Sequence, residues 1–591
     1  MGWHVVVNAI SFGNVMYDTD DLSAIRGASW AMLAICDNLA AALGAALGNG
    51  FTVEEVSAGA SRAHLCVKAQ DPSATEAMLQ QTLDEVLSGG NASANGAFNE
   101  AEPGLASLLP HLVFSRSVDA DEATARRSCA IAQYQMMDVA LPAMVDKAQS
   151  KARLEQDAKD KGTGRSDPSR AMQLADEGQP CTKDRVRPIF RLGWRAARND
   201  ETTSQPMRDV PVSASFFARH EFGRTGRRPR FYKSQAGIGL ETCCSLADSF
   251  EEIVEKPPPG LPVTVRNKMC VLYMDGNAFG RIRQDWLANE SGDAAGFSRA
   301  ISGTRKALLK GLVDYFCEDG QEGWLRVCPQ KKYLENGKQR TMPALRFETL
   351  MWGADESVFV FPGWAYPAVM SKLAQLLDDP QCGRITMPDD STRTLSYAIG
   401  VAIGHYKTPI RAMKALAGQL ADSAKARAKA LAKNNGGELQ SLVDAMVLGG
   451  IDLPVRPLVA ERRAIHGLDE EKQQIIFNMP LAQLPAIMQR LEAIRGEAGN
   501  RDAGVPRAKL ASILQQAINE GQLGDRSPDV LAELGALLES REGGARSDLQ
   551  DTLFGWCEDA PLAPLVHLMA LWNMLGTMPL PQALPQEEAS S

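Results

Sequence analysis

The chain has 591 residues, 45% hydrophobic and 23% charged, enough to bury several cores in about three to five domains, which excludes a disordered or fibrous protein. Its net charge of -9 excludes a uniformly basic protein but conceals one basic segment. The longest apolar run, Ala31 to Leu47, is broken by Asp37 and Asn38 and falls short of the roughly 20 apolar residues a membrane span needs. With no charged leader in MGWHVVVNAI either, a soluble cytoplasmic protein with no membrane partner is expected.

Residues 1–145 read as one unit. HVVVNAISF is a strand, and an Ala/Leu-rich helix follows Asp18, Asp20 and Asp21 and stops near Gly48 and Gly50. TVEEVSAG and RAHLCVKA form a hairpin about Gly59 and Ser61, and HLVFSRSV is a further strand before a helix from Asp121 to Val145. This order predicts an α+β fold, a small antiparallel sheet with helices on one face.

Residues 146–260 are polar and poor in periodic signal, with a mobile linker expected over 151–167. From Cys181 to Lys233 there are 13 Lys/Arg against 5 Asp/Glu. In FGRTGRRPRFYK, Arg224, Arg227, Arg228, Arg230 and Lys233 are interleaved with Phe222, Phe231 and Tyr232, which suits phosphate contact with base stacking in an RNA. The same residues also fit a solvated basic loop. The prolines of 256–262 then mark a domain boundary.

Residues 261–437 repeat the first element order. KMCVLYMD is a strand ending at Asp275, ALRFETLMW and SVFVFPG flank the turn Gly353-Ala354-Asp355-Glu356, and TLSYAIGVAIGH precedes an Ala/Lys-rich helix from Ile410 to Lys433. If the first strand lies beside the hairpin, Asp275, Asp355 and Glu356 gather at one end of the sheet within reach of a hard cation. Two such ions are what metal-dependent phosphoryl transfer requires, and the small Gly353 and Ala354 let a phosphate approach the backbone. An acidic hairpin turn is also common without any metal.

From Leu439 the pattern is helical, and residues 438–577 are expected to form a helical bundle before a disordered tail at 578–591. Eleven cysteines without a C-x-x-C argue against a disulfide framework, and seven histidines include no H-x-x-x-H and no His-Asp dipeptide.

MDGNAFG, WGADES, LSYAIGVAIGH and HYKTPIRAMKALAGQLADSAKARAK, in that order, resemble the Palm fold of the GGDEF nucleotidyl-cyclase superfamily. The family most resembled is the large-subunit polymerase/cyclase of type III CRISPR effector complexes, in which the turn is G-G-D-D. DLSAIRGASWAML, with Arg26, Gly27 and Ser29, resembles that family's degenerate first Palm, in which Gly59-Ala60-Ser61-Arg62 replaces the acidic turn.

The resemblance implies two ferredoxin-like Palm domains, a zinc-region-like segment between them and a helical C-terminal domain. It implies synthesis of cyclic or linear oligoadenylates from ATP, with pyrophosphate released, in antiviral defence triggered by target RNA. Asp275, Asp355, Glu356 and the Gly276 carbonyl would hold two Mg²⁺ or Mn²⁺ ions. Asn277, Phe279, Gly353, Ala354, Ser357 and Lys425, or Lys429 one turn on, would meet the nucleotide. Partners would be guide RNA, target RNA, and backbone and small subunits.

The chain departs from the family in three ways. Only Cys181 and the Cys243-Cys244 pair lie where a four-cysteine zinc site is often found, so no zinc is expected. Without a His-Asp dipeptide, no HD nuclease is expected. Glu356 and Ala354 alter the turn, so the same motifs also fit an inactive scaffold of that complex, and a standalone cyclase is the remaining reading.

Overall fold

The computed structural model describes residues 2–10, 16–137, 181–194, 210–317, 330–495, 507–520 and 563–575 apart from short gaps within these ranges. Ala354, the linker at 151–167 and the tail at 578–591 lie outside the described residues.

The first unit runs β1 (Gly2–Ala9), α1 (Leu22–Leu47), β2 (Phe51–Gly59), β3 (Arg62–Ala69), α2 (Glu76–Ser88), α3 (Ala92–Ala101), β4 (Phe114–Asp119) and α4 (Glu122–Met137). Its antiparallel sheet has the order β2-β3-β1-β4. Alternation along β1 sends Val5 and Val7 into the main core with α1, and Val6 to the opposite face against Ala125 and Cys129 of α4. Helices therefore cover both faces, not one as the element order had implied. The uninterrupted Val5-Val6-Val7 run is the sequence trace of a strand buried on both sides.

Two helices, α5 (Ala214–Thr225) and α6 (Arg227–Ala236), join this unit to the next. The second unit comprises β5 (Lys268–Gly276), α7 (Phe279–Ala288), α8 (Ala294–Cys317), β6 (Glu348–Trp352), β7 (Glu356–Pro362), α9 (Tyr366–Asp378), β8 (Tyr397–His405) and α10 (Ile410–Asn434). Its sheet runs β6-β7-β5-β8, the order of the first, and is extended by β9 (Leu442–Val447) and β10 (Asn478–Pro480). Again alternate residues part: Cys270, Leu272 and Met274 of β5 face one core, while Met269 and Val271 face Met413, Leu416 and Leu420 of α10.

β9 corrects the expectation that the chain turns wholly helical after 438. The apolar alternation of LVDAMV pairs parallel to β8, from Ala398 opposite Leu442 to Ile403 opposite Val447. The helices Leu458–His466, Glu470–Phe477, Leu484–Arg495, Arg507–Asn519 and Ala563–Leu571 follow.

The two sheets repeat in register as well as order. Asn8 pairs Arg62 in the first as Asp275 pairs Glu356 in the second. The edge strands β2 and β6 each slip register three residues before the turn glycine, between Glu55 and Ser57 and between Thr349 and Met351.

Helix α1 carries the Arg-Gly-Ala-Ser motif and belongs to the core. It is long and apolar enough to cross a membrane by length and composition, but it packs against the first sheet and crosses α5. A Cβ on Gly27 would lie 1.8 Å from the Arg219 carbonyl oxygen, and one on Gly223 would lie 1.9 Å from that of Ser23, so both glycines are needed for the backbones to touch. One residue earlier, buried Arg26 reaches into the second unit. Its Nη2 donates to Glu348 Oε2 at 2.5 Å and to the Ala247 carbonyl at 2.7 Å.

Candidate active site

The antiparallel register sets Glu356, the first residue of β7, directly opposite Asp275, the penultimate residue of β5. The turn is closed by the Gly353 N–H donating to the Glu356 carbonyl, and the Gly276 N–H donates to the Asp355 carbonyl, both at 2.8 Å. Strand pairing thus brings Asp275, Asp355 and Glu356 to one sheet end. Tyr273 precedes Asp275 by the strand period of two, and burial, with the Glu356 and Asp275 carboxylates close by, raises its hydroxyl pKa.

Below the turn, MDGNAFG has a packing logic. A Cβ on Gly276 would fall 2.4 Å from the Phe279 ring, which lies against Tyr397 at 5.6 Å between centroids. Ala278 adopts the left-handed conformation at φ 55, turning the chain from strand into α7. Asn277 is buried; its N–H donates to the Ser396 carbonyl, and its Oδ1 has no hydrogen-bond partner among the described residues.

Two of the expected nucleotide contacts lie inside the fold. Phe279 and Ser357 are buried and support the turn from beneath. Ser357 Oγ accepts from Arg305 Nη2 at 2.8 Å. Arg305, on α8 and 4.1 Å above the Trp352 ring centroid, also donates to the Glu356 carbonyl at 3.4 Å. Burial lowers its guanidinium to about 10, and Tyr397, Asp355 and Glu356 oppose that shift. Sequence reasoning missed Arg305 because only the tertiary packing of α8 places it here.

Helix α10 supplies the cations. Lys425 Nζ lies 2.5 Å from Asp275 Oδ2, so the lysine expected to reach a phosphate holds a carboxylate instead. Lys429 is exposed one helical turn further on. Lys414, which sequence reasoning also missed, lies three turns before Lys425, with Nζ 5.1 Å from the Tyr273 ring centroid.

The carboxyls outweigh these cations. Burial raises Asp275 above its ordinary value and Lys425 opposes it, with Asp355 and Asp422 raising it further. Burial and Asp355 likewise raise Glu356, opposed by Tyr273, with Asp275 adding to the rise and Lys414 opposing it. Together with the Gly276 carbonyl, Asp275, Asp355 and Glu356 form an all-oxygen donor set of the type Mg²⁺ and Mn²⁺ prefer.

Among the described residues, the one group of three His, Cys, Asp or Glu whose ligand atoms lie within 4.8 Å of one another is His4, His64 and Glu122 in the first unit. The acidic trio is more open. Of the cysteines at the expected zinc region, Cys181 and Cys244 are buried and Cys243 lies outside the described residues.

The basic segment keeps its charge but not its stacking aromatics. Phe222, Phe231 and Tyr232 are buried, with Phe231 edge-on to Trp30 and the Tyr232 hydroxyl 3.2 Å from Thr349 Oγ1. These aromatics join the core because α5 and α6 turn them inward, so they cannot stack on a base. Arg230 pairs with Glu102 at 2.7 Å, Arg224 lies 3.4 Å from Glu221, and Lys233 is exposed. The side chains of Arg227 and Arg228 lie outside the described residues.

No protein-family model and no curated protein matches the sequence. Solved structures similar to it include the following three. A Csm1-Csm4 cassette in complex with cA4 is 12% identical over 98% of this chain and 70% of that one, with a TM-score of 0.48. The same cassette with one ATP is 11% identical over 97% and 70%, with a TM-score of 0.46. Csm1 of T.onnurineus is 12% identical over 97% and 69%, with a TM-score of 0.48. The structural neighbours of this chain are Csm1 proteins, the large subunits of type III CRISPR effectors.

Proposed function

We propose that the two repeated units are Palm domains and that the second makes oligoadenylates from ATP in the large subunit of an RNA-guided type III CRISPR effector. The observation that carries this reading is the register placing Glu356 opposite Asp275, with Asp355 tied to Gly276 through its carbonyl. That geometry lies in the segments whose sequence resembles the type III polymerase/cyclase family.

In this reading Asp275, Asp355, Glu356 and the Gly276 carbonyl hold two Mg²⁺ or Mn²⁺ ions. Bound there, the ions supply Lewis acidity toward an attacking 3′-hydroxyl and neutralise charge on departing pyrophosphate. The protein fixes the donors: Arg305 pins Glu356 through its carbonyl and Ser357, while Phe279 fills the space beneath Gly276. Lys425 opposes the rise that burial imposes on Asp275, and it would be free to meet a phosphate if a metal ion took its place on that carboxylate. Gly353 leaves the turn open to a phosphate chain, and Asn277, its buried Oδ1 without a partner among the described residues, lies beneath the turn with Phe279 and Ser357.

The proposed partners are guide RNA, target RNA, and backbone and small subunits. Arg224, Arg227, Arg228, Arg230 and Lys233 are proposed as phosphate contacts by charge alone. The Lys425–Asp275 ion pair favours the second reading, a scaffold in which an ammonium has taken the place of a metal. The two part on one experiment: incubation of the assembled complex with ATP and Mn²⁺, in which the Palm reading requires phosphodiester products and the scaffold reading forbids them.

A further inference from the structure

The strand β6 leads directly into the acidic turn, and its side chains are held from outside the second unit. Glu348 takes Arg26 of α1. The Tyr232 hydroxyl of α6 lies 3.2 Å from Thr349 Oγ1, and Gln235 Oε1 of α6 accepts from Trp352 Nε1 at 3.2 Å. Tyr232, Gln235, Thr349 and Trp352 are all buried. An indole N–H only donates, so the amide oxygen of Gln235 has to face it.

Two spacings must match for both contacts to form. Tyr232 and Gln235 are three apart on a helix and share one face. Thr349 and Trp352 are three apart on a strand, which regular pleating would put on opposite faces. The register slip removes the conflict. Thr349 pairs Phe359 and Trp352 pairs Ser357, two residues apart on β7, so the extra residue Leu350 brings Thr349 and Trp352 to one face. The first sheet repeats the slip with Glu55 and Ala58 in the matching places. Neither a hydroxyl nor an indole stands there, so these two contacts belong to the second unit alone.

From Trp352 the support reaches the carboxylates. Arg305 lies 4.1 Å from its ring centroid and donates to Ser357 Oγ and to the Glu356 carbonyl. The next residue, Gly353, donates its N–H to that same carbonyl. Gln235 therefore fixes the indole that carries the guanidinium on its face and the turn glycine as its neighbour.

We propose that Gln235, with Tyr232 beside it, is a positioning residue for the acidic turn: through Trp352 and Arg305 it sets the place of Glu356, so that α6 completes the second unit's site. The effect on product rests on the reading of that turn as a phosphoryl-transfer site. The positioning itself does not require catalysis.

The test is hydrogen exchange read by mass spectrometry on the full chain, followed by product formation in the assembled complex. Gln235→Met strands the buried indole N–H, and peptides spanning 350–357 are expected to exchange about fivefold faster, while those of β8 keep the native rate. Tyr232→Phe, which removes only a hydroxyl, should act in the same direction and more weakly. Product formation by Gln235→Met should fall about fivefold in kcat with KM for ATP unchanged. Combined with Arg305→Met, it should fall no further than in Arg305→Met alone, because both act on Glu356 through one contact chain. Exchange at the turn that is unchanged in both α6 variants, or that rises equally in β8, overturns the proposal, as does a kcat loss that multiplies in full with that of Arg305→Met. A faster turn in Gln235→Met together with no product from the native complex upholds the positioning and fails the catalytic reading.

Discussion

Lys425 Nζ lies 2.5 Å from Asp275 Oδ2, so the carboxylate proposed to hold a metal already holds an ammonium. A metal held there would compete with the lysine for the same oxygen. Lys425→Met is therefore expected to bind Mn²⁺ a few-fold more tightly in calorimetry, while product formation falls because the phosphate-facing charge is gone. Unchanged Mn²⁺ affinity would mean the lysine and the metal do not share Asp275.

Arg305 ties the turn to α8 through Ser357 and the Glu356 carbonyl. In Arg305→Met, Glu356 loses its anchor while no ligand-facing group is removed. Product formation should drop about tenfold or more, with the larger change in kcat than in KM. A loss confined to KM would place Arg305 on the nucleotide instead.

The Arg26–Glu348 pair joins the two units, with both side chains almost wholly buried. Breaking it strands a charge, so Glu348→Leu is expected to cost roughly 3–5 kcal/mol in urea unfolding. The double variant Arg26→Met with Glu348→Leu should regain most of that. No recovery would show that the Arg26 bond to the Ala247 carbonyl matters more than the ion pair.

Buried His567 is held by the Ile476 carbonyl at 2.8 Å, and burial lowers its pKa to about 4. The unfolded chain takes up this proton near pH 6.5 and the folded chain only near 4. Stability is thus fully present above pH 6.5 and is lost as pH falls toward 4, by up to about 3 kcal/mol from this group. His567→Leu should flatten that part of the urea-midpoint profile between pH 7 and pH 4.5; an unaltered slope would assign it to other groups.

Much of the site was legible because strand pairing is local in its rules. An alternating run ending in Asp275 and a hairpin beginning at Gly353 can place their acids together in few ways. Arg305 and Lys414 were not legible, because the distance of a helix residue from a turn about 50 positions away depends on helix packing. The aromatic residues of the basic segment misled for the same reason: sequence shows Phe231 and Tyr232 beside arginines, but the α6 helix turns the rings inward. LVDAMV was hidden in the helical tail because six residues with two polar or small interruptions satisfy both periods.

The central claim is that Asp275, Asp355 and Glu356 make phosphodiester bonds. Mass spectrometry of products tests it directly, using the RNA-bound complex supplied with matching target, ATP and Mg²⁺ or Mn²⁺, beside Asp355→Asn. The account predicts oligoadenylates and pyrophosphate from the native complex, and a loss of at least about 100-fold in Asp355→Asn with RNA binding retained. Equal product from both, or none from a native complex shown to hold guide and target RNA, would contradict it.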